Sequence, residues 1–366
     1  MTSRCSAAQT AGAFSYSLAY TRVLNVLTGW EMVARCEHAK MVVRPLTDAL
    51  YNTADSNLPE ILNQVLAPDC DIHFTHPFED LSGPQAHYES VYSPLIAAIP
   101  NLERRDYIFI AGEVNEKVWV GCGGFYTGVF EHPWLDIPPT KQVVQMRFHE
   151  FYRVVDDKVV EIQALWDIPA LMMQADAWPL SPPIGVEWLV PGPASQDGIV
   201  SSPRDNVRSG ASAQLVSDML LGLTKFATGG VEGMQLDRYW HPSFYWYGPA
   251  GIGTSCGIDG FRHCHQIPFL NAMPDRVGSG GTGDLFGDGD FVGFTAWPGM
   301  SMTLSGDGWL GIAPSDKKIT MRSLDFWRCE KGLIRENWVL VDLLDVYHQL
   351  GVDVFKRMRE ITLHRR

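Results

Sequence analysis

Residues 146–174 and 321–349 spell nearly the same stretch, and no other feature of the chain constrains the fold as much. A slide of 175 residues, the distance from Met146 to Met321, superposes them without a gap. Arg147 then meets Arg322, Glu150 meets Asp325, Phe151 meets Phe326 and Arg153 meets Arg328. Glu161 meets Glu336, Asp167 meets Asp342, and Gln174 meets Gln349. A second match lies upstream: Gly83, Pro94 and Pro100 recur as Gly257, Pro268 and Pro274, now offset by 174. Self-similarity at a fixed period decides architecture before local propensity does. Here the period is a whole domain, far longer than the roughly 20–50 residues of a solenoid repeat. The chain therefore reads as a tandem of two like domains, a pseudo-twofold duplication.

The totals agree. A length of 366 residues suits two domains, and 46% apolar with 19% charged residues is a globular balance. A formal net charge of −13 argues against a nucleic-acid groove, which needs a basic stripe. No apolar run approaches the roughly 18 residues of a membrane span. Seven cysteines, odd in number and without C-x-x-C spacing, read as free thiols in a reducing, cytoplasmic setting. The expected boundaries are a poorly ordered leader at 1–40, domain one at 41–176, a Pro/Gly/Ser-rich linker at 177–212, domain two at 213–355 and a tail at 356–366. A chain starting near Met41 is expected to keep its melting temperature.

Within each unit helices come first. Leu46, Leu50, Leu58, Ile61, Leu62 and Val65 keep helical spacing, with a break near Asp55 and Ser56. Strand-like runs follow around 106–111, 117–130, 143–154 and 159–166. Helices followed by a meander predict an α+β domain, with N-terminal helices packed on a curved antiparallel sheet. The glycine-rich, acidic segment 278–290 reads as a long flexible hairpin loop able to act as a lid. Residues 186–190 of the linker are free to dock on a domain surface.

The closing pattern carries a resemblance. In the second unit it is Arg328, Ile334, Glu336, Trp338, Asp342, Gln349, Leu350 and Gly351. In the first it is Arg153, Val159, Glu161, Asp167 and Gln174. This pattern, over about 43–176 and 213–351, resembles the SnoaL-like polyketide cyclases of the nuclear-transport-factor-2-like superfamily. The resemblance implies two cone-shaped domains, each enclosing a cavity between sheet and helices. It also implies acid–base chemistry without a cofactor, in which a proton leaves carbon beside a carbonyl and the enolate closes an aldol ring. It implies sheet-to-sheet pairing too, here an intramolecular pseudo-dimer with room for a further homodimer. The family's acid–base aspartate falls on Ala164 and Val339, and its assisting histidine on Glu150 and Asp325.

Several residues are candidates for chemistry. Alternation puts Met146, Phe148, Glu150 and Tyr152 on one strand face, where a carboxylate among apolar groups would hold its proton more tightly. Glu150 and Asp325 either line the cavities or form structural ion pairs with another strand. His73, and Tyr247 in its place in domain two, are candidate donors or bases at the cavity mouth. His265, one turn from Phe269, is expected to face the cavity, and its spacing from His263 is wrong for a shared metal ion. Asn337 shares a strand face with Val339 and is expected to orient a carbonyl. Asp167 and Asp342 precede short helices and read as N-caps. Domain two is the better site, with Asp325 as base and Tyr247 or His265 as donor. The leading expectation is a cofactor-independent lyase or isomerase acting on a small apolar or polycyclic carbonyl compound. The rivals are a hydrolase or dehydratase in the same cavity, and a non-catalytic ligand-binding or scaffold protein, with no nucleic acid or membrane as partner.

Overall fold

The computed structural model describes residues 10–278 and 283–363. Domain one contains β1 (Leu66–Phe74), β2 (Asp80–Ser82), β3 (Glu103–Val114), β4 (Lys117–Val129), β5 (Val143–Val155) and β6 (Lys158–Trp166). They form one sheet in the order β2-β1-β6-β5-β4-β3. Domain two contains β7 (Trp240–Tyr247), β8 (Thr254–Cys256), β9 (Val277–Gly278), β10 (Gly283–Asp288), β11 (Phe291–Thr303), β12 (Lys318–Glu330) and β13 (Leu333–Val341). Its main path is β10-β11-β12-β13-β7-β8, with β9 paired to β11. The meander is antiparallel as expected, but β1 runs parallel to β6 and β7 parallel to β13. Both sheets are therefore mixed. The helices between the first strand and the meander return the chain to the far edge, which the sequence order alone did not reveal.

The duplicated landmarks occupy equivalent places. Glu150 pairs across the sheet with Cys122 and Ala164, and Asp325 pairs with Phe294 and Val339. Each helical segment contains a π-helical turn, Tyr88–Tyr92 and Arg262–Gln266, shortly before its internal proline. In both, an N–H bonds five residues back, Ser93 to Tyr88 and Ile267 to Arg262. The turn lets the helix absorb a proline that donates no N–H.

Each sheet has one face against its own helices and the other against the second domain. Ile108, Trp119, Phe151 and Leu165 of domain one meet Tyr247, Phe286, Phe326 and Trp338 of domain two in one apolar cluster. Phe151 and Phe326, matched in the duplication, stack at 4.9 Å and 11°. Each lies opposite a glycine on its neighbouring strand, Gly121 and Gly293. A Cβ on Gly121 would stand 2.9 Å from Phe326, and one on Gly293 would stand 3.0 Å from Phe151. The missing side chains are the space into which the other domain's ring fits.

Polar staples flank this core in matched pairs. Arg147 donates to the Tyr247, Gly248 and Val339 carbonyls of domain two and to its own Asp167. Arg322 donates to the Phe74 carbonyl, to Glu79 of domain one and to its own Asp342. Asp167 and Asp342 also accept the backbone N–H groups of Ala250 and His76 across the junction. Asp342 caps its helix through Asp345 N–H, whereas Asp167 makes no such side-chain bond. Both carboxylates thus serve the interface.

Three expected segments differ. The leader boundary falls inside the helix Thr10–Tyr51. Cys36 and Ala39 are buried in it, and Lys40 pairs with Asp288 of domain two at 2.9 Å; residues 1–9 lie outside the described residues. The linker is stitched to both sheets, Val186 to Thr254 and Ile199 to Phe109, and its expected end lies inside the helix Asn206–Leu223. The segment 278–290 is no loop from 283 onward, because β10 pairs with β11 there; residues 279–282 are outside the described residues. Its acids are interface acceptors: Asp284 receives Lys117 and Trp119, and Asp288 receives the Ala111 N–H and Lys40.

Truncation at Met41 is therefore expected to lower stability, since it strips Lys40 from a buried Asp288. Lys40→Met alone should cost roughly 3–5 kcal/mol, the usual penalty for breaking a buried ion pair from one side; urea unfolding of both proteins checks this. Gly121→Val should cost about 1–3 kcal/mol by overpacking the Phe151–Phe326 stack, read as a lower midpoint with the fold retained.

Candidate active site in the second domain

The interior of domain one is closed by a buried ionic cluster. Glu150 receives Arg104, the Tyr152 hydroxyl, the Tyr126 hydroxyl at 3.1 Å and the Trp166 indole N–H at 2.7 Å. Arg104 also grips Asp106 at 2.9 Å and lies 4.1 Å from the Phe148 ring centre. Burial alone would raise the Glu150 carboxyl, but Arg104 and the hydroxyl and indole donors outweigh it and hold it below the ordinary range. Every lone pair that chemistry would need is committed. Glu150 is thus the structural ion pair with another strand, here β3, and not a base facing a cavity.

Among the described residues, domain two has no counterpart of this cluster. Asp325 makes one side-chain hydrogen bond among those residues, accepting from the Ser323 hydroxyl at 2.9 Å, and its Oδ1 has no partner there. Burial pushes its carboxyl up to about 8, against the smaller opposing pull of Ser323. The rows across the two sheets differ in the same sense. Cys122, Glu150 and Ala164 retain 0%, 1% and 0% of their accessible surface, while Asp325 and Val339 each retain 9% and Phe294 is half-buried. That residual surface leaves the row over β11–β13 less filled than its counterpart in domain one, a shallow hollow at most.

Beside this row, on the side of β7, lies an aromatic layer. His265 stacks on Trp246 at 4.2 Å and 13° and on Phe269 at 5.5 Å. Its Nδ1 has no partner, and burial, helped by Arg276, pushes the imidazole down to about 3, so it is neutral. The π-helical turn carries it inward, while His263 on the same turn is exposed. Asn337 pairs across the sheet with Trp327 and Trp246. Its Nδ2 is already committed to the carbonyls of Phe326 and Trp338. Its donors therefore hold backbone and are not free for a carbonyl.

Two candidates lie on the other sheet face. Tyr247 donates to Glu336 at 3.2 Å and packs against Trp338 within the interdomain cluster. His73 binds Asp80 at 2.8 Å and lies near Trp297 of domain two. The two are equivalent, since His73 pairs with Gln163 and Tyr247 with Trp338, but a one-residue step in a strand reverses the face. Their interior neighbours are Ile72 and Trp246. The sequence reading missed Ser323, though alternation from Asp325 puts it on the same face. It also missed Arg104, which no local pattern ties to Glu150.

Two further concavities are separate from the hollow. One, of about 50 Å³, lies under the linker between the domains, where Arg147 and Asp167 already serve as the staple. The other is an open depression of about 480 Å³ at the edge of domain two, lined by Asp237, Trp240 and Cys256 among others.

The SnoaL-like polyketide cyclase family matches residues 41–175 and 231–350. The chain belongs to this family. Its two matched regions are tandem SnoaL-like domains, an arrangement consistent with an intramolecular pseudo-dimer. Among solved structures it is similar to a candidate SnoaL-like polyketide cyclase from Jannaschia sp. CCS1, at 20% identity over 38% of this chain and 91% of that one, with a TM-score of 0.33. It is similar to IdmH, a candidate polyketide cyclase from Streptomyces antibioticus, at 20% identity over 38% and 98%, with a TM-score of 0.31. It is also similar to AclR, a candidate hydroxylase from Streptomyces galilaeus, at 22% identity over 40% and 86%, with a TM-score of 0.33. The curated proteins gave no match. No helix among the described residues is long and apolar enough to cross a membrane. Ala164 and Val339, the cross-strand partners of Glu150 and Asp325, both belong to the apolar core.

The raised Asp325 carboxyl has a consequence for stability. Between about pH 4 and 8 the folded protein keeps a proton that the unfolded chain has released, so this group lowers stability as pH rises through that window. Asp325→Asn should remove the loss, gaining on the order of 2–4 kcal/mol at pH 8 and little at pH 4. Melting curves of the two proteins across that range check this, and a variant less stable at pH 8 would contradict it.

Proposed function

We propose that the hollow of domain two is the working site of a cofactor-independent cyclase or isomerase acting on a neutral, apolar carbonyl compound. The observation that supports this reading best is Asp325 itself, a buried carboxyl with one unpartnered oxygen, at the position where domain one has sealed its Glu150 with Arg104. A carboxyl that titrates near 8 is a stronger base than an ordinary aspartate and stays within reach of physiological pH.

In the proposed step the Asp325 carboxylate takes a proton from the carbon beside a carbonyl. The C–H electron pair moves into the new C=C bond, and the carbonyl π pair moves to oxygen, giving an enolate. Neutral His265, with Nδ1 unpartnered, is the donor that holds this oxygen in its N–H tautomer. For a cyclase, the enolate carbon then attacks a second carbonyl of the same molecule, and the resulting alkoxide recovers the proton from Asp325. For an isomerase, the proton returns to a different carbon. The aromatic walls, Trp246, Phe269 and Phe294, suit a ring-bearing substrate. Domain one acts as the degenerate partner that buries one face of domain two.

Asp325→Asn and Glu150→Gln test this together on a panel of polyketone and cyclic enone substrates. Asp325→Asn should abolish turnover with the fold intact, whereas Glu150→Gln should lower stability and leave turnover per folded molecule nearly unchanged. In the wild type kcat/KM should rise with pH and level off above about 8, as the carboxylate form becomes populated. Full activity in folded Asp325→Asn would rule the carboxylate mechanism out.

A further inference from the structure

We propose that Ser323 is the positioning residue of this site: its hydroxyl holds Asp325 Oδ2 and leaves Oδ1 as the oxygen that exchanges a proton with a neutral, ring-bearing substrate. This inference rests on the reading of Asp325 as the acid–base group and extends it.

Ser323 lies two residues before Asp325 on β12, so both side chains project from the same face. Its cross-strand neighbours, Ala296 and Val341, offer no side-chain hydrogen bond. Its Oγ stands 2.9 Å from Asp325 Oδ2, and both residues are buried. A carboxyl with one oxygen tied keeps a defined orientation, and the second oxygen is left for transfer.

The duplication says why a serine stands there. Its counterpart in domain one is Phe148, whose ring lies against Arg104 and helps fill that interior. Serine in place of phenylalanine removes a ring's volume and adds a donor beside the carboxyl. A hollow and an oriented acid thus arise from one exchange.

The surroundings fix the class of substrate. Titratable groups on the elements around Asp325 are His265, Cys264 and Arg276 on the helical side, Asp345, Tyr347 and His348 on the helix Leu343–Leu350 that packs on β12, and Arg322, Arg328, Cys329 and Glu330 on β12, where Arg322 and Arg328 alternate to the opposite face. Among the described residues none makes an ion pair or hydrogen bond with Asp325, and Arg276 lies over the Phe226 and Phe269 rings instead. With no cation to balance it, the carboxylate would repel an anionic ligand. Carbon acids that enter without charge suit the site.

The test needs no substrate. The Asp325 carboxyl is followed by carbon-13 NMR in aspartate-labelled full-length protein, with Asp325→Asn used for assignment. In the wild type it should titrate near 8. Ser323→Ala removes a hydrogen bond to the charged form, so the midpoint should rise by about one pH unit, leaving about tenfold less carboxylate at pH 7. Ser323→Thr keeps the hydroxyl and should restore the wild-type midpoint. Melting at pH 5, where the carboxyl is protonated in every variant, reports whether each is folded. Once a substrate is in hand, the rising limb of kcat against pH should move with the midpoint while KM holds. A midpoint unmoved in folded Ser323→Ala, or not restored in folded Ser323→Thr, would overturn the positioning role and leave the Asp325 reading standing. A wild-type midpoint below 5 would instead remove Asp325 as the base, and Ser323 with it.

Discussion

Two phenylalanines stacked across two glycines organise this molecule. Phe151 and Phe326 can lie 4.9 Å apart only because Gly121 and Gly293 leave the backbone bare beneath them. Once the two sheets meet there, each domain has one face committed to its twin, and its helices must lie on the opposite side. The arginine staples then fix the angle, since Arg147 and Arg322 each hold backbone or side chain of the other domain. A lone domain would expose an apolar sheet face and unpaired buried donors, so the two stand or fall together.

That contact separates the two interiors, and separation has let them diverge. Domain one filled its cone with an arginine, two acids and a set of phenols. In such a cluster every charge is compensated, and removing one partner is costly. Domain two, with the same backbone, leaves Asp325 Oδ1 and His265 Nδ1 without a partner among the described residues. Buried polar atoms without partners oppose folding unless something else requires them. A site awaiting a ligand is a physical reason for Asp325 Oδ1 to persist beside the partly accessible row Phe294, Asp325 and Val339.

Much of this was legible in the sequence. The gapless 175-residue offset carried the duplication, and period-two alternation grouped Glu150 with Met146, Phe148 and Tyr152 on one face while leaving open whether it and Asp325 line a cavity or form an ion pair. His73 and Tyr247 read as candidates at the cavity mouth, but they lie on the other sheet face, and their neighbours Ile72 and Trp246 face the interior. No local pattern could join Arg104 to Glu150, because the two lie on strands separated by β4 and 46 residues of chain. The acids of 278–290 looked like a solvated loop, yet Asp284 and Asp288 are buried by partners on another domain. Charge composition reports exposure only when the partners are local. The linker docks through Val186 on Thr254 as its sequence allowed, but its second pairing, Ile199 on Phe109, was hidden for the same reason. Its prolines and glycines describe its stiffness, and they say nothing of the strand edges at Thr254 and Phe109 that receive it.

A pseudo-dimer also changes what an active site can cost. A buried carboxyl that must stay unpaired lowers the stability of the unit that holds it, and in a free-standing domain the whole penalty falls on a small margin. Here domain two cannot unfold without exposing the Phe151 face of domain one and stripping Asp288 from Lys40. Its local penalty is therefore set against the cooperative stability of both domains. Domain one gains stability by sealing its interior, because an open second hollow would add unmet polar atoms without adding support. The ionic cluster around Glu150 and the open carboxyl at Asp325 are thus complementary solutions. One interior stiffens the scaffold on which the other can remain incomplete.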